Sequence, residues 1–247
     1  MKPRLSPPTH SRFAWLHPRA YLGLHGIVGL ALAVACAWGF FAIADEVPEK
    51  GMMVRVDSAV TAWLQTHGTE WGESIFLGVS YLGAQVLIAL LIVVAVVLIG
   101  RRNWRHLAAL AVTCGGGALL NAALKSVFHR TRPTYAAEFH VSSWSFPSGH
   151  AMDSLIVYGM FALWIGDRFP RARKSVLVAA ALLVGAIGYA RIYLGVHYLS
   201  DVAGGYTAGF VWLMVCVSGY RFAERRRVGP SGADEAPARP SPDTINA

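Results

Sequence analysis

Six stretches of this chain are apolar enough to cross a bilayer, at roughly 21–44, 77–100, 106–128, 149–166, 174–192 and 199–220. A spanning helix needs about 20 mostly apolar residues, and within hydrocarbon its backbone must bond to itself. Six such runs in 247 residues predict an all-α polytopic membrane protein with six transmembrane helices. Composition agrees: 55% of residues are hydrophobic and 15% charged, too apolar for a soluble domain of this length.

Basic residues set the expected orientation, because Lys and Arg gather on the cytoplasmic side of short membrane loops. Most of the 22 here lie before the first run, around Arg101 to Arg105, around Arg168 to Lys174, and after Tyr220. Cytoplasmic N- and C-termini are therefore expected. The same distribution accounts for the net charge of +8 through contact with anionic lipid, without nucleic acid. Residues 1–20 are expected at the inner surface, 21–220 as the membrane domain, and 221–247 as a basic, then disordered, tail. The "AIADEV" after the first run has the small-residue pattern of a signal cleavage site. Its preceding run of about 24 apolar residues exceeds a signal core of about 7–15, so the first helix is expected to be retained.

Val56, Val60, Trp63 and Leu64 recur at helical spacing, which suits either a short helix on the membrane surface or an ordinary loop. Cys36, Cys114 and Cys216 all fall in apolar runs, as packed thiols would. Gly205 and Gly209, four apart, suit close helix packing.

With that orientation, three polar clusters lie on the outer side: "KSVFHRTRP" (Lys125 to Pro133), "SFPSGHAMD" (Ser145 to Asp153) and "ARIYLGVHYLSD" (Ala190 to Asp201). Ionisable residues near hydrocarbon are costly and mark function, and three loops at one membrane face can build one pocket. Lys125, Arg132 and Arg191 supply cations suited to a phosphate, Arg as a planar fork and Lys as a point charge. Ser148 and Gly149, after Pro147, open a helix whose unpaired amides also suit an anion. Gly149 lets the backbone approach it closely.

If the sixth helix begins near His197, then His197 and Asp201, four apart, share a face, which makes His197 a candidate nucleophile or base with its imidazole oriented by the carboxylate. His150, on a different loop, is left to protonate a leaving group. Each residue alone has a plainer reading: Lys125 as a snorkelling helix end, Arg191 as an interfacial anchor, His197–Asp201 as a structural pair. Metal binding by His150, His197 and Asp201 is disfavoured, since three neighbouring cations repel a dication. Asp153, on the face of His150, either tunes that histidine, bonds a pocket cation or makes an interior polar contact. Asn121, one turn before Lys125, is expected to pack or bond between helices.

Lys125-x6-Arg132-Pro133, Pro147-Ser148-Gly149-His150 and Arg191-x5-His197-x3-Asp201 together resemble the three-part signature of the type 2 phosphatidic acid phosphatase superfamily. These are membrane lipid phosphatases related in active site to vanadium haloperoxidases. The resemblance implies that His197 attacks phosphorus to form a phosphohistidine, oriented by Asp201. His150 would protonate the leaving oxygen and then activate water. Lys125, Arg132, Ser148, Gly149 and Arg191 would hold the phosphoryl oxygens. No metal, cofactor or obligate protein partner is implied. A Ser usually precedes the arginine of the third motif, and Ala190 stands there instead, which puts one auxiliary phosphate contact in doubt.

The implied function is hydrolysis of a lipid phosphate or pyrophosphate at the outer face of a bacterial inner membrane. Undecaprenyl pyrophosphate is the lead substrate, with phosphatidylglycerophosphate, phosphatidate or lipid A as alternatives. A non-enzymatic phospholipid binder or flippase would reuse the fold without turnover. A haloperoxidase is disfavoured by the six spans.

Overall fold

The computed structural model describes residues 18–46, 51–139 and 143–228. All regular elements among them are helical. In order they are α1 (Pro18–Glu46), α2 (Met52–His67), α3 (Glu70–Leu82), α4 (Gln85–Gly100), α5 (Trp104–Leu110), α6 (Gly116–Phe128), α7 (Gly149–Arg168), α8 (Arg173–Tyr193) and α9 (Leu199–Val228). A π-helical turn, Ala111–Gly115, joins α5 to α6 as one continuous rod. Trp212 of α9 donates its indole N–H to the Thr113 carbonyl inside that turn, at 2.8 Å.

Among the described residues, five helical segments are long and apolar enough to cross a membrane: Gly26–Glu46, Glu70–Gly100, Trp104–Phe128, Pro170–Tyr193 and Leu199–Glu224. The expected fourth span is α7, which is not among the five. It packs against both α8 and α9 and buries Ala151, Met152, Ser154, Ile156, Val157, Met160, Ala162 and Gly166. A helix enclosed by its neighbours faces protein rather than lipid, so it tolerates polar residues that a lipid-facing helix does not.

Helix boundaries follow local chemistry that an apolar run does not show. The second rod begins at Glu70, not at 77, because the Thr69 hydroxyl accepts from the Gly72 N–H at 3.0 Å and Glu70 and Glu73 occupy the positive end of the helix. The rod breaks between Leu82 and Gln85. A side chain at Gly83 would meet Ile187 of α8 at 2.6 Å and the His150 ring at 3.2 Å, so the break brings backbone against the site. The Val54–Leu64 segment is helical within α2, with Asp57, Thr61 and Leu64 buried on one face. The last helix continues to Val228, past the boundary expected at 220. The expected inner-surface segment lies outside the described residues up to residue 17, as does the tail from 229.

Lipid tails are as apolar as leucine, so helix association in a membrane depends on close packing. The small residues of α9 provide it. An added Cβ would lie 2.5 Å from the Phe146 ring at Gly204, 2.6 Å from the Ser148 carbonyl oxygen at Gly205, and 3.1 Å from the Met152 carbonyl oxygen at Gly209. These glycines seat α9 on the start of α7, where the second motif lies. Phe40 and Ala44 of α1 pack with Phe146, Met152, Ile156 and Ala208 into the same core, so the first helix supports the site directly. Asn121 donates to the Pro147 carbonyl at 3.4 Å, the interhelical bond expected of it. Cys36, Cys114 and Cys216 are free thiols.

Candidate active site

The three motifs meet at one end of the bundle because each loop is closed by its own backbone bonds. His129 caps α6 in the left-handed region (φ 44°), with its N–H on the Lys125 carbonyl at 3.2 Å. The chain therefore turns off the helix just past Lys125. Ser145 N–H donates to the Arg130 carbonyl at 2.8 Å, tying the first motif to the second. Ser148 N–H donates to the Asp201 carbonyl at 3.0 Å, tying the second to the third. Between α8 and α9 the chain turns at Gly195 (φ 62°), where a side chain would strike Gln65 and Tyr135. The N–H groups of Val196 and His197 both return to the Arg191 carbonyl at 3.2 Å. Arg191 and His197, on opposite sides of that turn, thus face one pocket.

His197 is buried, and its two ring nitrogens have different partners. Arg132 approaches Nε2 at 3.0 Å through Nη1. A guanidinium only donates, so Nε2 presents its lone pair and Nδ1 carries the proton. Nδ1 faces Asp201 Oδ2 at 3.4 Å, although α9 begins only at Leu199, so the pair forms between the turn before the helix and its first turn rather than along a helix face. Burial pushes the imidazole down to about 3; Asp201 opposes that shift, and Arg132 and Arg191 add to it. A neutral imidazole with an unprotonated Nε2 aimed into a cationic pocket is a nucleophile in waiting.

Three cations are within electrostatic reach of one another at this end of the bundle. Arg132 is held by the Ser143 carbonyl at 2.7 Å, the Val196 carbonyl at 2.7 Å and the Ser143 hydroxyl at 3.0 Å. Lys125 donates to the Trp144 carbonyl. Arg191 donates through Nη1 to Ser80 Oγ at 2.7 Å. Arg191 Nε and Ser148 Oγ are both buried without a hydrogen-bond partner among the described residues. Unpaired buried polar groups are costly, and an anion bound in the pocket could satisfy them. Gly149 opens α7, whose N-terminus has no side-chain cap among the described residues, an arrangement that suits an anion. His150 is the second residue of that helix and within electrostatic reach of His197, Arg191, Arg132 and Lys125. The Asp153 carboxylate faces the same pocket, within electrostatic reach of Lys125.

The structure thus brings together Lys125, Arg132, Ser148, Gly149, His150, Arg191, His197 and Asp201, as the sequence reading expected. It also adds residues that reading missed. Asp201 accepts from Ser145 Oγ, from Tyr198 N–H at 2.8 Å and from Arg130 Nη1 at 2.6 Å. Arg130 also pairs with Asp57 of α2 at 2.8 Å and lies over the Tyr198 ring, 4.4 Å from its centre. Burial alone would lower the Arg130 guanidinium, but Asp201 and Asp57 outweigh it and hold it above its ordinary value. Ala190 is fully buried, and the hydroxyl that meets Arg191 comes from Ser80 of α3. A serine inside an apolar run carried no sequence signal of that role.

A model of the PAP2 superfamily matches residues 104–225, a stretch that includes all three motifs. Phosphatidylglycerophosphatase B of Bacillus subtilis (strain 168) is 33% identical over 186 residues, which cover 73% of this chain and 91% of that protein. The chain belongs to the PAP2 superfamily. Among solved structures, the crystal structure of a transmembrane PAP2-type phosphatidylglycerolphosphate phosphatase from Bacillus subtilis matches with a TM-score of 0.69 at 29% identity. That match covers 78% of this chain and 96% of the other. The protein is a PAP2-type lipid phosphatase and a multi-pass bacterial membrane protein.

Proposed function

We propose that this PAP2 phosphatase removes the terminal phosphate of a phosphatidylglycerophosphate-type lipid through a phosphohistidine on His197. The observation that carries the chemistry is the Nε2 lone pair of a buried, neutral His197 facing Arg132 at 3.0 Å, with Lys125 and Arg191 in the same pocket. In the first step Nε2 attacks phosphorus and the P–O bond to the lipid breaks. The electron pair leaves with the lipid oxygen, which takes a proton from the imidazolium form of His150, a form that the bound phosphate favours by offsetting the charge of the pocket's cations. In the second step His150 accepts a proton from water, the hydroxide attacks phosphorus, and His197 departs as neutral imidazole. Lys125, Arg132, Arg191, Ser148 and the Gly149 amide bind the phosphoryl oxygens and stabilise the charge that develops on them.

The names of the relatives support the phosphatidylglycerophosphate reading over undecaprenyl pyrophosphate, which was the lead substrate from sequence. The basic segments at Arg101 to Arg105 and Arg168 to Lys174 lie in the α4–α5 and α7–α8 connections, at the end of the bundle away from the site. This supports six spans with an outward-facing site. A panel of lipids with purified protein in detergent tests the substrate. Phosphatidylglycerophosphate is expected to exceed undecaprenyl pyrophosphate and phosphatidate at least tenfold in kcat/KM. A preference for the pyrophosphate would overturn the assignment.

A further inference from the structure

Asp201 must do two things with one carboxylate: orient His197, and remain negative enough to stabilise the cation that forms when Nε2 bonds to phosphorus. Its surroundings oppose the second task. Asp201 is fully buried, and Arg130 Nη1 sits 2.6 Å from its Oδ1. A guanidinium at that distance cancels the carboxylate's charge and leaves little for the imidazole on Oδ2.

The other half of Arg130 is engaged. Its Nη2 pairs at 2.8 Å with Oδ2 of Asp57, which is also fully buried and lies on α2, 73 residues away in the chain. Asp57 is held in place by the start of α9: Ser200 N–H donates to its Oδ1 at 3.0 Å, and Ser200 Oγ donates to its Oδ2. Arg130 Nη1 reaches Ser200 Oγ as well, at 2.6 Å. Asp57, Arg130 and Asp201 therefore form one buried chain of two carboxylates about a single guanidinium. That chain keeps one uncompensated negative charge, and His197 is the group beside it that becomes positive.

We propose that Asp57 is a positioning residue for the nucleophile: by taking a share of the Arg130 charge, it leaves Asp201 negative toward His197 in the covalent intermediate. The proposal rests on His197 being the nucleophile. As Nε2 bonds to phosphorus, the ring keeps its Nδ1 proton and gains a positive charge next to Asp201 Oδ2. The net −1 of the carboxylate–guanidinium chain neutralises that charge without any proton moving to Asp201. Helix α2 is thus part of the active site through charge, although it lies outside all three signature motifs.

The test uses full-length protein and three variants: Asp57→Asn, Asp57→Glu, and the double variant Asp57→Asn with Arg130→Gln. Two readouts are taken, kcat and KM on phosphatidylglycerophosphate and the affinity for orthovanadate, a phosphoryl mimic whose binding does not depend on the lipid tail. Asp57→Asn is close to isosteric but leaves Arg130 to cancel Asp201. We expect about a 10²-fold loss in kcat and a matching loss of vanadate affinity, with KM within threefold. The double variant removes the surplus positive charge as well and is expected to recover at least tenfold over Asp57→Asn. Asp57→Glu, which keeps the charge, is expected to recover in the same direction.

A purely structural Asp57 predicts the opposite: the double variant no better than Asp57→Asn, with losses that follow melting temperature. That result, or unchanged vanadate affinity in Asp57→Asn, overturns the proposal. If the double variant does not fold, the contrast between Asn and Glu at position 57 decides the same question. Wild-type protein that binds vanadate but does not turn over phosphatidylglycerophosphate would refute the substrate reading. The Asp57 inference would then be judged on vanadate affinity alone.

Discussion

The two ends of the helical bundle both carry arginine–aspartate pairs, yet they differ in what those pairs can do. At the site end Arg130 bonds Asp57 and Asp201 at 2.8 and 2.6 Å, with side chains 8%, 0% and 0% exposed. At the opposite end Asp167 meets Arg173 at 3.5 Å and Arg221 at 3.6 Å, with side chains 42–52% exposed. Water and salt screen the second set, so its geometry is loose and its worth small. The first set has lost its water, so each partner depends on the others. Burial, not residue type, separates the two sets of ion pairs.

Substitutions at the two ends should therefore differ sharply in effect. The largest effect is expected from His197→Ala, which removes the proposed nucleophile next to the buried network. Turnover of phosphatidylglycerophosphate should fall by about 10⁴-fold or more, with the protein still folded by thermal melting. Next is Arg130→Met, which leaves two buried carboxylates without a cation. Unfolding in detergent should show a loss of about 3–5 kcal/mol.

Gly205→Ala places a methyl 2.6 Å from the Ser148 carbonyl and should cost about 1–3 kcal/mol together with a drop in kcat. Gly219→Ala on the same helix meets nothing within 4 Å and should leave both unchanged. Asp167→Asn at the exposed end should shift stability by at most about 1 kcal/mol and leave kcat untouched.

Acid should separate the two ends as well. Folded His197 binds its proton near 3, whereas the ordinary value is 6.5. Between those values the unfolded chain holds the extra proton, so stability contributed by the neutral histidine is fully present above 6.5 and is lost as pH falls toward 3. The slope is about 1.4 kcal/mol per pH unit. Wild-type protein is expected to lose about 2 kcal/mol more than His197→Gln between pH 6.5 and 5. Equal losses in melting series at the two pH values would show that His197 is not held neutral by burial.

The signature residues were legible because the proposed chemistry demands their types: a phosphate suits cations, and a histidine proposed as nucleophile suits a carboxylate close to it in the chain. Arg130 was visible only as one more basic residue between Lys125 and Arg132, since nothing local says that it turns back toward Asp201. Asp57 was hidden by a sequence separation of 73 from its partner, and α2 itself was balanced between helix and loop. The early start of α3 escaped because Glu70 and Glu73 end the apolar run while favouring the helix N-terminus. Conversely, α7 looked like an ordinary span. Its polar residues are tolerated because α8 and α9 enclose it, a fact of packing rather than of composition.

The central claim is that His197 carries phosphate between two steps. Rapid mixing with lipid labelled in its terminal phosphate, followed by an alkaline quench that preserves phosphohistidine, measures it directly. Transient label is expected on His197 by mass spectrometry in the wild type and none in His197→Ala. Full turnover in His197→Ala, or label on another residue, would contradict it.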